Sequence, residues 1–79
     1  MSELKETLAD IAKAIVDDPD SVVVAAEEEN GHVTLTLTVA PDDMGKVIGK
    51  HGRIANAIRM VMKSAANRSG KKVTVDIKD

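Results

Sequence analysis

Apolar positions recur along this chain with two periods, and the switches between them divide it into six elements. Leu4, Leu8, Ile11 and Ile15 repeat at helical spacing with Ala12 beside them, predicting an amphipathic helix from Ser2 to about Asp17. Ser2 is its candidate cap. Asp17-Asp18-Pro19 ends it, because the residue before a proline is pushed out of the α region. The period then drops to two. Ser21–Glu28 opens on the β-branched run Val22, Val23, Val24 and reads as a strand. In Val33–Val39, Val33, Leu35, Leu37 and Val39 take one face and Thr34, Thr36 and Thr38 the other, so one sheet face is buried and one is wet. Between these strands Glu29-Asn30-Gly31-His32 carries Asn-Gly, a strong hairpin signal, and Ala40-Pro41 closes the second strand.

Helical spacing returns after Pro41. Asp42-Asp43-Met44-Gly45-Lys46 reads as the start of a short helix, since acidic residues suit a helix N-terminus. A longer helix from Arg53 to Asn67 has its apolar stripe at Ile54, Ile58, Val61, Met62 and Ala65, with Asn56, Arg59, Lys63 and Asn67 turned away. Met60 falls off that stripe. It is either a solitary surface apolar residue or a contact for a partner. Ser69-Gly70 ends the helix, and a last strand follows Lys71-Lys72, where Val73, Val75 and Ile77 alternate with Thr74 and Asp76. The order is α-β-β-α-α-β. A hairpin pair is antiparallel, and strands joined by a helical crossover are parallel. The expectation is a single α+β domain over residues 1–79, with a three-stranded mixed sheet covered on one face by three helices.

Composition narrows the chemistry. The 79 residues contain no cysteine, hence no disulfide framework and no thiolate metal site, which favours a reducing compartment. No apolar run nears a membrane span, and Glu3, Glu6 and Asp10 interrupt any leader-like N-terminus, so a cytoplasmic protein without membrane contact is expected. The net charge of −2 conceals a polarised chain. Residues 1–44 hold eleven acids against two bases, a net of −9, and residues 45–79 hold nine bases against two acids, a net of +7. Screening limits an anionic ligand at the basic half to that half's field. Phe, Tyr and Trp are absent, so base recognition cannot use aromatic stacking and must rely on aliphatic contacts and hydrogen bonds.

The basic half opens on Val47-Ile48-Gly49-Lys50-His51-Gly52-Arg53-Ile54, a Gly-x-x-Gly turn between two helices. Glycine ends a helix at positive φ and lets a ligand approach the backbone. The following helix aims its free N–H groups and dipole at the turn, and Lys46, Lys50 and Arg53 add charge. A phosphate suits that place, although the same four residues also make a plain αα corner. The spacing excludes a P-loop, which needs four residues between glycines and then Lys-Ser/Thr. No carboxylate pair, nucleophile–base set or metal cluster accompanies the turn, and two histidines are too few for zinc. An enzyme is not expected, and no cofactor is called for.

The loop and the element order together resemble a KH (K homology) domain of the bacterial, type II topology. The opening helix ending in Asp-Pro, the Val-Ala-Pro-Asp-Asp segment and Gly-Lys-Val-Ile-Gly-Lys-His-Gly-Arg-Ile are similar to the small RNA-binding KhpA family. That resemblance implies a clamp on the backbone of roughly four unpaired nucleotides. Lys46, Gly49, Lys50, His51, Gly52 and Arg53 would lie on phosphates. Ile48 and Ile54 would floor a base groove, Lys72 and Val73 would line its far wall, and the Glu29–His32 turn would be the variable loop. It further implies single-stranded RNA as ligand, a homodimer or a heterodimer with a larger multidomain KH protein of the Jag type, and a role as RNA chaperone or post-transcriptional regulator in cell elongation and envelope homeostasis. Met60 and the net negative charge leave a rival open, a protein-interaction adaptor on the same fold.

Overall fold

The alternating strand sets the middle layer. A computed structural model describes residues 2–79, without the Ser2 side chain, so the expected Ser2 cap lies outside the described residues. In it β2 (His32–Thr38) is central. β1 (Val23–Glu29) pairs with it antiparallel and β3 (Lys72–Lys78) parallel. Val33, Leu35 and Leu37 are fully buried, and their threonine neighbours half-buried. The connecting turn takes Asn30 at φ 53° and Gly31 at φ 79°, the two positive φ values that fit the twist of a two-residue hairpin.

The helices α1 (Ser2–Ile15), α2 (Met44–Ile48) and α3 (Arg53–Arg68) pack on the apolar face. Leu4, Leu8 and Ala12 of α1 meet Val47 of α2 and Ile58, Met62 and Ala66 of α3 above the sheet. The mixed sheet and its helical layer follow the sequence reading. One face does not: Ala55, Ile58, Met62 and Ala66 are the buried positions of α3, while Ile54 and Val61 stand 38% and 51% exposed. The helix is rolled from the stripe its largest residues suggest. Small alanines let α3 sit close to its neighbours beside Ile58 and Met62, which leaves Ile54 and Val61 at the rim.

α3 ends as a Schellman motif, with Lys71 N–H on the Ala66 carbonyl and Gly70 N–H on that of Asn67, both at 3.0 Å, and Gly70 at φ 71°. α1 ends by a tertiary device. The amides of Asp17 and Asp18 donate to the two carboxylate oxygens of Asp43, at 3.2 and 3.0 Å. Asp43 is 2% exposed and makes no capping bond to α2, so its carboxylate fastens the segment after α1 to the first turn of α2. Among the described residues no helix is long and apolar enough to cross a membrane.

Candidate nucleic-acid interface

Gly49 follows α2 at φ 76°, ψ 172°, a region that only glycine occupies readily. Its amide closes α2 on the Gly45 carbonyl at 2.9 Å, and its own carbonyl accepts the Gly52 amide at 3.2 Å. A side chain here would press on Ile54, whose backbone nitrogen and Cβ lie 3.0 Å from where a Cβ would stand. Gly52 sits at φ 73° with open space around it. His51 between them is left-handed at φ 59°, a conformation uncommon outside glycine that asparagine, aspartate and histidine adopt most readily. Gly52 caps α3 without a side-chain acceptor; the Arg53 amide bonds the Lys50 carbonyl, and the next amides of this 16-residue helix have no side-chain cap. Lys50, His51 and Arg53 stand exposed around them.

Lys46 is engaged elsewhere. Its ammonium lies 3.1 Å from Asp17 and 3.9 Å from Asp43, on the α1 side of α2. The hydrogen bond to Asp17, and then that carboxylate's charge, raise its pKa above the ordinary lysine value of 10.5. Ile48 is half-buried against the core, and Ile54 lies partly open over Gly49.

α3 and β3 run side by side in opposite directions. Arg59 Nε donates to the Val75 carbonyl at 3.2 Å, midway along both elements. Lys72 and Val73 therefore lie at the far end of α3 from the glycine turn. There they frame a basin of about 440 Å³ with His32, Lys63, Asn67 and Lys71. Lys71 is paired with Glu28 at 2.8 Å, and His32 Nε2 shares a hydrogen bond with Thr74 Oγ1 at 2.7 Å. The expected variable loop, Glu29–His32, borders this basin through His32 and an acidic hollow lined by Glu27, Glu28 and Glu29 on its other side.

A track of polar groups thus runs along α3 from the turn, through Asn56 and Arg59, to Lys63 and Asn67. Their spacing of three and four residues is legible in the sequence as the helix's polar face, although nothing in it says that β3 lies alongside. Lys50, His51 and Arg53 come together at the turn with Ile54 over Gly49, Lys46 is drawn off to Asp17, and Lys72 and Val73 stand apart at the end of the track. Met60 lies clear of the turn, 71% exposed beside Val61, in a shallow groove shared with Thr7, Ser64, Ala65 and Arg68. Among the described residues no group of three His, Cys, Asp or Glu is placed to hold a metal ion.

An α-β-β-α-α-β layer with a Gly-x-x-Gly turn joining its second and third helices is a KH domain of type II. The comparisons with known proteins narrow the class. The model of the KhpA/KhpB KH domain matches residues 5–77. The chain is 53% identical over 74 residues to the RNA-binding protein KhpA of Clostridium acetobutylicum, covering 94% of this chain and 99% of that one. It is 54% identical over 79 residues to the KhpA of Caldanaerobacter subterraneus, covering 98% and 99%. Among solved structures, Aquifex aeolicus Era bound to GDP and aluminium fluoride superposes with a TM-score of 0.68 at 17% identity, over 95% of this chain and 30% of that one. Era in complex with MgGDPNP and a segment of 16S ribosomal RNA gives 0.67 at 16% identity, over 95% and 29%. At such identities these two show the fold alone. The chain belongs to the KhpA/KhpB KH-domain family, which is not a family of enzymes.

Proposed function

We propose that this protein binds single-stranded RNA, clamping the backbone of about four unpaired nucleotides at the Gly49–Gly52 turn. One observation carries the reading. The N-terminus of α3, without a side-chain cap, opens at a turn where Gly52 leaves the backbone bare, and Lys50, His51 and Arg53 surround it. The names of the relatives, RNA-binding protein KhpA, support the ligand class. Phosphates rest on the offered amides and on Lys50 and Arg53. The bases then lie along the track beside α3, over Ile48 and Ile54 and toward Val73 and Lys72. Lys46 acts at one remove, holding α2 rather than the strand.

A single clamp without aromatic platforms binds weakly, so useful affinity needs a second domain joined to it. The Met60–Val61 patch suits that role, as the contact with a second copy of the chain or with a larger KH protein of the Jag type. In this reading the complex is cytoplasmic and works as an RNA chaperone or post-transcriptional regulator in cell elongation and envelope homeostasis. The same patch, 71% and 51% exposed at its two residues, favours a second reading, an adaptor whose partner is protein alone.

Fluorescence anisotropy of a short labelled single-stranded RNA over a salt series separates the two. The wild-type chain is compared with Lys50→Asp/His51→Asp, checked for its fold by circular dichroism. A clamp gives binding that weakens with salt, by a slope of about 0.7 per phosphate held, and a folded variant that does not bind. Equal behaviour of the two proteins reduces the turn to a corner and leaves the adaptor.

A further inference from the structure

We propose that Arg59 is the stacking platform of this domain, supplying through its guanidinium plane the surface that aromatic rings supply in other single-strand binders. The proposal rests on the RNA-binding reading above. The chain has no Phe, Tyr or Trp, and its two imidazoles lie at the ends of the track, His51 in the glycine turn and His32 in the far basin, so a base over the middle of α3 meets no ring. Bases carry a π face that stacks on arginine as well as on aromatic side chains. Arg59 is placed for that contact. It projects from the middle of α3 across to β3 and is tethered there by one bond, Nε to the Val75 carbonyl at 3.2 Å.

The tether matters in three ways. Nε–H lies in the guanidinium plane, so the bond to Val75 uses an edge of the group and not its face. Pre-positioning reduces the rotamer entropy that an arginine gives up on binding. Arg59 also forms no ion pair among the described residues, unlike Lys46 and Lys71, so its charge is not neutralised. The neighbouring backbone supplies the edge contacts that a stacked base needs. Lys72 N–H and the Lys78 carbonyl bond toward β2 and its flanking residues. The alternation of a strand therefore turns the backbone groups of Val73, Val75 and Ile77 to the free edge, beneath the guanidinium. A base lying on Arg59 has Val73 or Ile77 N–H and C=O groups at its rim.

The test is a cycle between the residue and the bases. Arg59→Lys keeps the charge and removes the plane; Arg59→Tyr restores a π face and removes the charge. Each is titrated with a short uniform single-stranded RNA and with the same strand made abasic, beside wild type and Lys50→Asp/His51→Asp, all checked by circular dichroism. Wild type is expected to prefer the base-bearing strand by roughly threefold to tenfold. Arg59→Lys loses that preference while holding the abasic strand as wild type does, and Arg59→Tyr recovers the preference at lower affinity for both strands. If Arg59→Lys weakens both strands equally, or changes neither, the platform is refuted, because the residue then acts on phosphate or only on the fold. If wild type binds neither strand better than the loop variant does, the clamp itself falls and the platform falls with it.

Discussion

Replacing Asp43 by alanine tests what holds the glycine turn in place. The side chain is 2% exposed and accepts from the amides of Asp17 and Asp18 at 3.2 and 3.0 Å. Hydrogen bonds to a charged acceptor contribute about 1.5–3 kcal/mol each, and a buried donor left alone costs about 1–3. Two effects bring the sum down. Asp17 and Asp18 lie at the surface, where water can take over part of the bonding, and alanine removes the cost of burying a carboxylate. The expected loss is therefore about 2–3 kcal/mol, a large share of the total stability of a domain of this size. It lowers the melting temperature by roughly 10–20 °C.

Asparagine is the sharper probe. It keeps one oxygen for one amide and sets its own NH2 against the other, so Asp43→Asn falls between wild type and alanine at about 1–2 kcal/mol. Without tryptophan or tyrosine the chain offers no useful intrinsic fluorescence, and urea and thermal unfolding are followed by circular dichroism. The reasoning is refuted if Asp43→Ala lies within about 0.5 kcal/mol of wild type, the range of an ordinary surface change.

Other expectations are simpler. Gly49→Ala should destabilise by about 2–4 kcal/mol, from its Gly-only conformation and the pressure on Ile54, while Gly52→Ala should cost about 1 kcal/mol for positive φ alone; equal losses in urea melts would contradict that asymmetry. The raised pKa of Lys46 means that its pairing with Asp17 stabilises fully below the unfolded lysine value of 10.5 and fades as pH climbs through the higher folded value. Wild type and Lys46→Met should thus differ in melting temperature at neutral pH and converge in strong alkali; a gap that stays constant with pH would rule the ion pair out as its source. Met60→Asp should leave stability within about 0.5 kcal/mol, since the residue is 71% exposed, yet lower the molar mass seen by light scattering if this patch joins two copies. An unchanged mass in a wild type that self-associates would move the contact elsewhere.

The sequence by itself determined the elements, their order and the turn. Period-two alternation at Val33–Val39, Asn30-Gly31 at the hairpin and Ser69-Gly70 after α3 are local signals, because each rests on bonds and sterics between near neighbours. The Gly-x-x-Gly turn was legible for the same reason. What only the tertiary structure decided is where those elements meet. Ala55 and Ala66 are buried and Ile54 and Val61 are not, since close helix packing selects small residues that hydrophobicity ranks low. Asp43 reads in the sequence as an acid at a helix start, yet its partners lie some 25 residues upstream. Lys46 looks like a loop cation until Asp17 is brought beside it, and Arg59 like a solvated face until β3 arrives alongside. A side chain's role across the fold depends on distances that its own neighbours in sequence do not set.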